Sequence, residues 1–86
     1  MVEKEVTVVP KEGLHGRPAA QFVKTAKGYS SDVKAIKGET EANAKSPLSL
    51  MTLGAKHGDK LTIRAEGEDE EAAAEALAEF ISQEEQ

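Results

Sequence analysis

The sequence predicts an α+β fold, an open-faced sandwich in which one sheet carries helices on one face and meets water on the other. Three observations predict it. In the strand segments apolar residues alternate with polar ones, so each strand has one side to bury rather than two. The segments follow one another in the order β-α-β-β-α-β-α, with Gly or Pro marking the breaks between them. The chain has 86 residues and no cysteine, enough for one modest core in a single domain, 1–86, with no disulfide to reinforce it.

Each element has its own signal. Val2, Val6 and Val8 alternate with Glu3, Glu5 and Thr7 in a first strand interrupted only by Lys4. Pro10 to Gly13 ends that strand. Pro18 belongs in the first turn of a helix, where a missing N–H costs nothing. Behind it Ala19, Phe22, Val23 and Ala26 form a stripe at i, i+3, i+4, i+7 that should face the core, and Gly28 should stop the helix. A second strand runs from about Asp32 to Lys37 with Val33 and Ala35 inward. Lys37-Gly38-Glu39 reads as a hairpin turn into a weaker strand, Thr40 to Ala44, whose inner face is Ala42 and Ala44. Ser46 followed by Pro47 is an N-cap signature for a short helix with Leu48, Leu50, Met51 and Leu53, closed by Gly54. His57-Gly58-Asp59 is a turn, and His57 reads as a turn residue only. Leu61, Ile63 and Ala65 then alternate with Thr62, Arg64 and Glu66 in the clearest strand of the chain. Asp69 is placed to cap a last helix that should bury Ala73, Ala76, Leu77, Phe80 and Ile81. Glu84 and Glu85 oppose the dipole at its far end and should fray it.

Charge is unevenly distributed. Residues 1–64 hold all eleven Lys and Arg against seven acidic groups, a balance of +4, whereas 65–86 hold nine acidic groups and no basic one, giving −5 overall. The acidic end reads as a solvated face, and the basic body suits an acidic protein partner. A negative chain with one Tyr and two Phe has no stacking platform for nucleic acid. The first five residues include Glu3, Lys4 and Glu5, so no signal peptide is read and no segment reaches the length of a membrane span. A soluble cytoplasmic protein is expected.

Chemistry concentrates at Gly13-Leu14-His15-Gly16-Arg17-Pro18. His15 falls at or just before an N-cap, beside backbone N–H groups that have no helical partner and a dipole that favours anions. Imidazole is nucleophilic when neutral, and a phosphoryl group on it could take hydrogen bonds from the Gly16 and Arg17 backbone and from the Arg17 guanidinium. The sequence around His15 is poor in acids. Nothing else in the chain completes a catalytic set: there is no Ser-His-Asp arrangement, no glycine-rich nucleotide loop and no metal-ligand spacing, so neither metal nor cofactor is expected. A residue that can hold a phosphoryl group, without machinery to make or spend one, points to a carrier rather than an enzyme.

Gly13-Leu14-His15-Gly16-Arg17-Pro18-Ala19 resembles the active-site signature of HPr, the histidine-containing phosphocarrier family of the bacterial sugar phosphotransferase system. Gln21-Phe22-Val23-Lys24, Asn43-Ala44-Lys45-Ser46, Met51-Thr52-Leu53-Gly54 and Ala65 to Glu70 resemble family segments in register. The resemblance implies antiparallel strands in the order 1-4-2-3. It also implies that His15 takes a phosphoryl group on its δ nitrogen from phosphorylated Enzyme I and passes it to IIA domains of sugar permeases, with Arg17 helping to hold it. Gly16 departs from the small or hydroxyl side chain expected there, which loosens the helix start. Ser46, by its position an N-cap, is by resemblance a target of HPr kinase, although Pro47 and Leu48 replace a bulkier apolar pair. Ala20, Lys24 and Lys27 on the outer side of the first helix, with Leu48 and Met51 on the second, suit docking to an acidic groove; one of Leu48 and Met51 is expected in the core. The chain is expected to act as a monomer. Three rivals are weighed against the sugar carrier: a nitrogen-regulatory paralogue, a binding-only regulator and a small hydrolase with a histidine nucleophile. His15 itself argues against the second, and the third lacks a base or water-positioning group.

Overall fold

The structure, a computed structural model, describes residues 1–83. Its elements are β1 (Val2–Thr7), α1 (Gly16–Lys27), β2 (Asp32–Lys37), β3 (Thr40–Asn43), α2 (Pro47–Leu53), β4 (Lys60–Glu66) and α3 (Glu70–Ile81). The four strands form one antiparallel sheet in the order β1-β4-β2-β3. β4, the strand with the strongest alternation, is paired on both sides: Val2 lies opposite Ala65 and Thr7 opposite Lys60, while across the other edge Asp32 meets Glu66 and Ile36 meets Thr62.

The period-2 pattern does what it should. Val33, Ala35, Ala42, Leu61, Ile63 and Ala65 are buried beneath the helices. Polar neighbours occupy the open face, where Arg64 Nε stands 2.7 Å from Glu3 and Lys34 Nζ 3.5 Å from Glu41. These exposed pairs contribute little energy, but they keep that face compatible with water. β3 ends at Asn43, one residue short of the expected strand, and Ala44 is still buried because its N–H reaches back to the Val33 carbonyl at 2.9 Å.

The helices close the other face. α3 packs on β1 and β4, α2 on β3, and α1 touches both other helices. The α1 stripe of Ala19, Phe22, Val23 and Ala26 is buried as the spacing requires. Phe22 meets Phe80 with ring centroids 6.2 Å apart, a tilted pair at the α1–α3 contact. α3 is rotated slightly from the predicted stripe: Ala73, Ala74, Leu77, Ala78 and Ile81 are buried, while Ala76 and Phe80 are only half-buried. Alanines cover so much of this helix that the sequence pattern alone leaves its inward face loosely defined. The expected fraying at Glu84 and Glu85 lies outside the described residues. Gly28 does stop α1, but in right-handed conformation (φ −74°), its N–H and that of Tyr29 bonding the Thr25 and Ala26 carbonyls at 3.1 Å.

Two expectations are corrected. Leu48 and Met51 are both outside, 74% and 42% exposed. α2 has only seven residues, and the stripe it buries is Leu50 and Leu53; at 100° per residue Leu48 falls nearly opposite that pair and Met51 on its flank. Asp69 sits at the start of α3 but does not cap it. Its carboxylate instead accepts the N–H groups of Ser30 and Ser31, both at 2.9 Å, and the Ser31 hydroxyl. Helix closure falls to Glu70, whose Oε1 accepts the Gly67 N–H at 3.1 Å.

The Ser31 hydroxyl, then the Ser30 N–H, hold the Asp69 carboxyl at about 2, against an ordinary 3.8. A carboxyl depressed by folding stabilises the fold above its unfolded value, and that contribution fades as pH falls through the folded one. The urea midpoint of the wild-type protein should therefore exceed that of Asp69→Asn near neutrality, and the gap should narrow between about pH 4 and pH 2. A gap that stays constant across this window would show that the charge on Asp69 contributes nothing.

Candidate functional site

His15 is the N-cap of α1, in extended conformation (φ −144°, ψ 151°), and its side chain makes no capping bond. The ring is exposed and has no hydrogen-bond partner among the described residues. The imidazole is therefore open to an incoming group. Gly16 and Arg17 follow as the first two residues of α1, in the turn where a helix directs its backbone N–H groups outward from its start. Pro18 sits third and buried, so the one missing donor of this turn is not one the helix would have used. No acidic residue lies in the first turn of α1, while Lys24 and Lys27 lie in its last.

Gly16 has φ +61°, in the left-handed region. A side chain there would cost roughly 1–2 kcal/mol through backbone clash alone. Space is not the constraint, since an added Cβ would find only Glu12 Oε1, at 3.7 Å. The glycine that looked like a loosening of the helix start is thus the residue that lets the chain turn into α1 without strain.

The loop before His15 is held from the neighbouring loop. Leu14 is buried, its N–H bonded to the Ala55 carbonyl at 3.0 Å. Gly13 (φ +70°) lies so close that a Cβ would strike the Ala55 carbonyl oxygen and come within 2.9 Å of Lys56 Cα. The supporting loop is itself pinned. Lys37 Nζ donates to the Gly54 carbonyl at 2.9 Å and pairs with Asp59 Oδ2 at 2.9 Å, and the same carboxylate accepts the Lys56 N–H at 2.8 Å. The Lys56 N–H, then Lys37, hold the Asp59 carboxyl below its ordinary value. His57 is more than a turn residue: its exposed ring donates from Nδ1 to the Val9 carbonyl at 2.6 Å, tying the two loops together again.

Between these loops and α2 lies a shallow cleft of about 230 Å³, lined by Glu12, Leu14, His15, Met51, Gly54, Ala55 and Lys56. Met51 thus shares a cleft with His15. Ala20, Lys24 and Lys27 are exposed along α1 on the side continuous with Gly16, and Leu48 stands exposed on α2. Ser46 caps α2, its Oγ accepting the Ser49 N–H at 3.3 Å. Two charged residues of the cleft, Glu12 and Lys56, were not expected. The sequence around His15 reads as acid-poor only if Glu12 is taken as plain loop; its place three residues before the histidine was the available signal. Among the described residues no group of three or more His, Cys, Asp or Glu could hold a metal, and no helix is long and apolar enough to cross a membrane.

The family model for the PTS HPr component phosphorylation site matches residues 2–83. The chain belongs to the HPr family. The phosphocarrier protein HPr of Haemophilus influenzae is 48% identical over 94% of this chain and 95% of its own. A crystal structure of HPr from Thermoanaerobacter tengcongensis superposes with a TM-score of 0.91 at 43% identity, covering 94% of this chain and 91% of that one. The catabolite-repression protein Crh of Bacillus subtilis, solved as a domain-swapped dimer, matches with a TM-score of 0.76 at 44% identity over 94% and 93% of the two chains. HPr proteins are phosphocarriers of the phosphotransferase system, and this chain has their sheet order and three helices.

Gly13→Ala should destabilise the protein by roughly 1–3 kcal/mol, since it combines a disfavoured φ with backbone overlap. It should also shift the His15 and Ala55 amide resonances together. Unchanged resonances at Ala55 would mean that the two loops are not held through this contact.

Proposed function

We propose that this chain carries a phosphoryl group on Nδ1 of His15, received from phosphorylated Enzyme I and given to IIA domains of sugar permeases. The observation that supports this most is the acceptor itself, an exposed imidazole with no partner at the start of α1, set in the segment that resembles the HPr signature. In the loading step the Nδ1 lone pair attacks phosphorus. The bond from phosphorus to the donor breaks, and its electron pair stays with the donor. Transfer onward is the reverse, with the IIA acceptor as nucleophile. The chain supplies position and charge: the Gly16 and Arg17 N–H groups and the Arg17 guanidinium take the phosphoryl oxygens. Enzyme I and the IIA domains supply the rest, so this is a carrier and not an enzyme, and it needs no cofactor.

Docking falls to Ala20, Lys24 and Lys27 of α1 with Leu48 and Met51 of α2. An apolar centre with a basic rim suits short-lived contact with an acidic groove. Ser46 is offered as a regulatory site for HPr kinase, where a phosphate would add negative charge at the start of α2, next to that surface. We take residues 1–86 to work as one domain, a cytoplasmic monomer that binds neither nucleic acid nor membrane. The likeness to Crh makes a binding-only regulator the second reading, and the presence of His15 is what favours the carrier.

Incubation with phosphoenolpyruvate and Enzyme I tests the main reading. An acid-labile, base-stable phosphate should form, and it should be lost in His15→Ala. No label on the wild-type chain, under conditions that load a control HPr, refutes the reading. Incubation with HPr kinase and ATP should give an acid-stable phosphoserine that Ser46→Ala abolishes. Removing the N-cap should also cost that variant about 1 kcal/mol of stability.

A further inference from the structure

Among the described residues one carboxylate lines the His15 cleft, and it has no role in the phosphocarrier mechanism. Glu12 lines the cleft together with His15 and Lys56. Its Oε1 stands 3.7 Å from the point where a Gly16 side chain would begin, so it lies over the first residue of α1. Among the described residues it makes no hydrogen bond and no ion pair; Lys56, the cation lining the same cleft, does not reach it within ion-pair distance. Its charge is therefore not cancelled by a partner, and it sits where the positive end of α1 attracts anions. A phosphoryl group on His15 would need the same ground.

We propose that Glu12 is a positioning residue that sets how firmly the chain holds its cargo. It occupies the start of α1 while His15 is free and repels the phosphoryl group once it arrives. The inference rests on the phosphocarrier reading. With phosphate absent, the carboxylate stands beside the positive end of the helix without a hydrogen bond to it. With phosphate present, two anions stand at one helix start, and the phosphohistidine is easier to discharge. In an exposed cleft, repulsion between a neighbouring unit charge and a phosphoryl dianion amounts to a roughly three- to tenfold change in an equilibrium. Gly16 serves the arrangement too, because it puts no side chain between the carboxylate and the helix.

The test is the equilibrium for phosphoryl exchange with Enzyme I, measured for the wild-type chain, Glu12→Gln and Glu12→Asp. At low ionic strength Glu12→Gln should shift the equilibrium toward phosphohistidine by roughly three- to tenfold, and the shift should shrink in about 0.5 M salt. Glu12→Asp should stay near the wild type, and the thermal midpoints should agree. Equal equilibria for wild type and Glu12→Gln, or a difference insensitive to salt, would overturn the inference while leaving the carrier intact. If no variant is phosphorylated where a control HPr is, the carrier reading itself fails and the inference falls with it.

Discussion

The site depends on the contact between two loops, and the backbone hydrogen bond nearest to His15 is the one from Leu14. Leu14 donates to Ala55, and around that bond the chain allows Gly13 no side chain at all. His15 is the next residue along. It is exposed and uncapped, so nothing in its own side chain fixes its place; what fixes it is the buried Leu14 behind it and the helix ahead. The supporting loop must in turn be stiff, and the Lys37–Asp59–Lys56 network makes it so by satisfying the end of α2 and the turn into β4 together. An exposed reactive group can be precise only when the unreactive residues beside it are held.

The division of labour between the two sheet faces follows from the same economy of size. A chain this short can cover one face with helices and must leave the other to water. The strands accept this by alternating, and the helix-covered face gains small residues such as Ala35, Ala42 and Ala65 where larger ones would lift the helices away. The helices then supply the bulk, with Phe22, Leu50, Leu77 and Ile81 fully buried.

Much of this was legible from residue order. Period-2 alternation located β2 and found β4 to within one residue, its start being Lys60 rather than Leu61, and the Ser-Pro pair located α2. The helix-start signals placed His15 at or just before the N-cap, and it is the N-cap. Features that depend on tertiary neighbours were not legible. Asp69 looks like a helix cap because caps are local, yet its partners Ser30 and Ser31 lie 39 and 38 residues away, and no local rule finds them. Leu48 and Met51 failed for another reason: four large apolar residues in a seven-residue helix leave several possible stripes, and only the position of the sheet chooses Leu50 and Leu53. Glu12 was hidden because a loop carboxylate has no periodicity to betray what it faces.

The Asp69 contacts have a consequence for how the chain folds. They join the end of α1 to the start of α3 just beyond the point where Asp32 of β2 pairs with Glu66 of β4. Closing a segment of 38 residues carries an entropy cost that local contacts avoid, and the β2–β4 pairing already brings its two ends together. The serine–aspartate contact acts as a latch on a seam that the sheet has aligned.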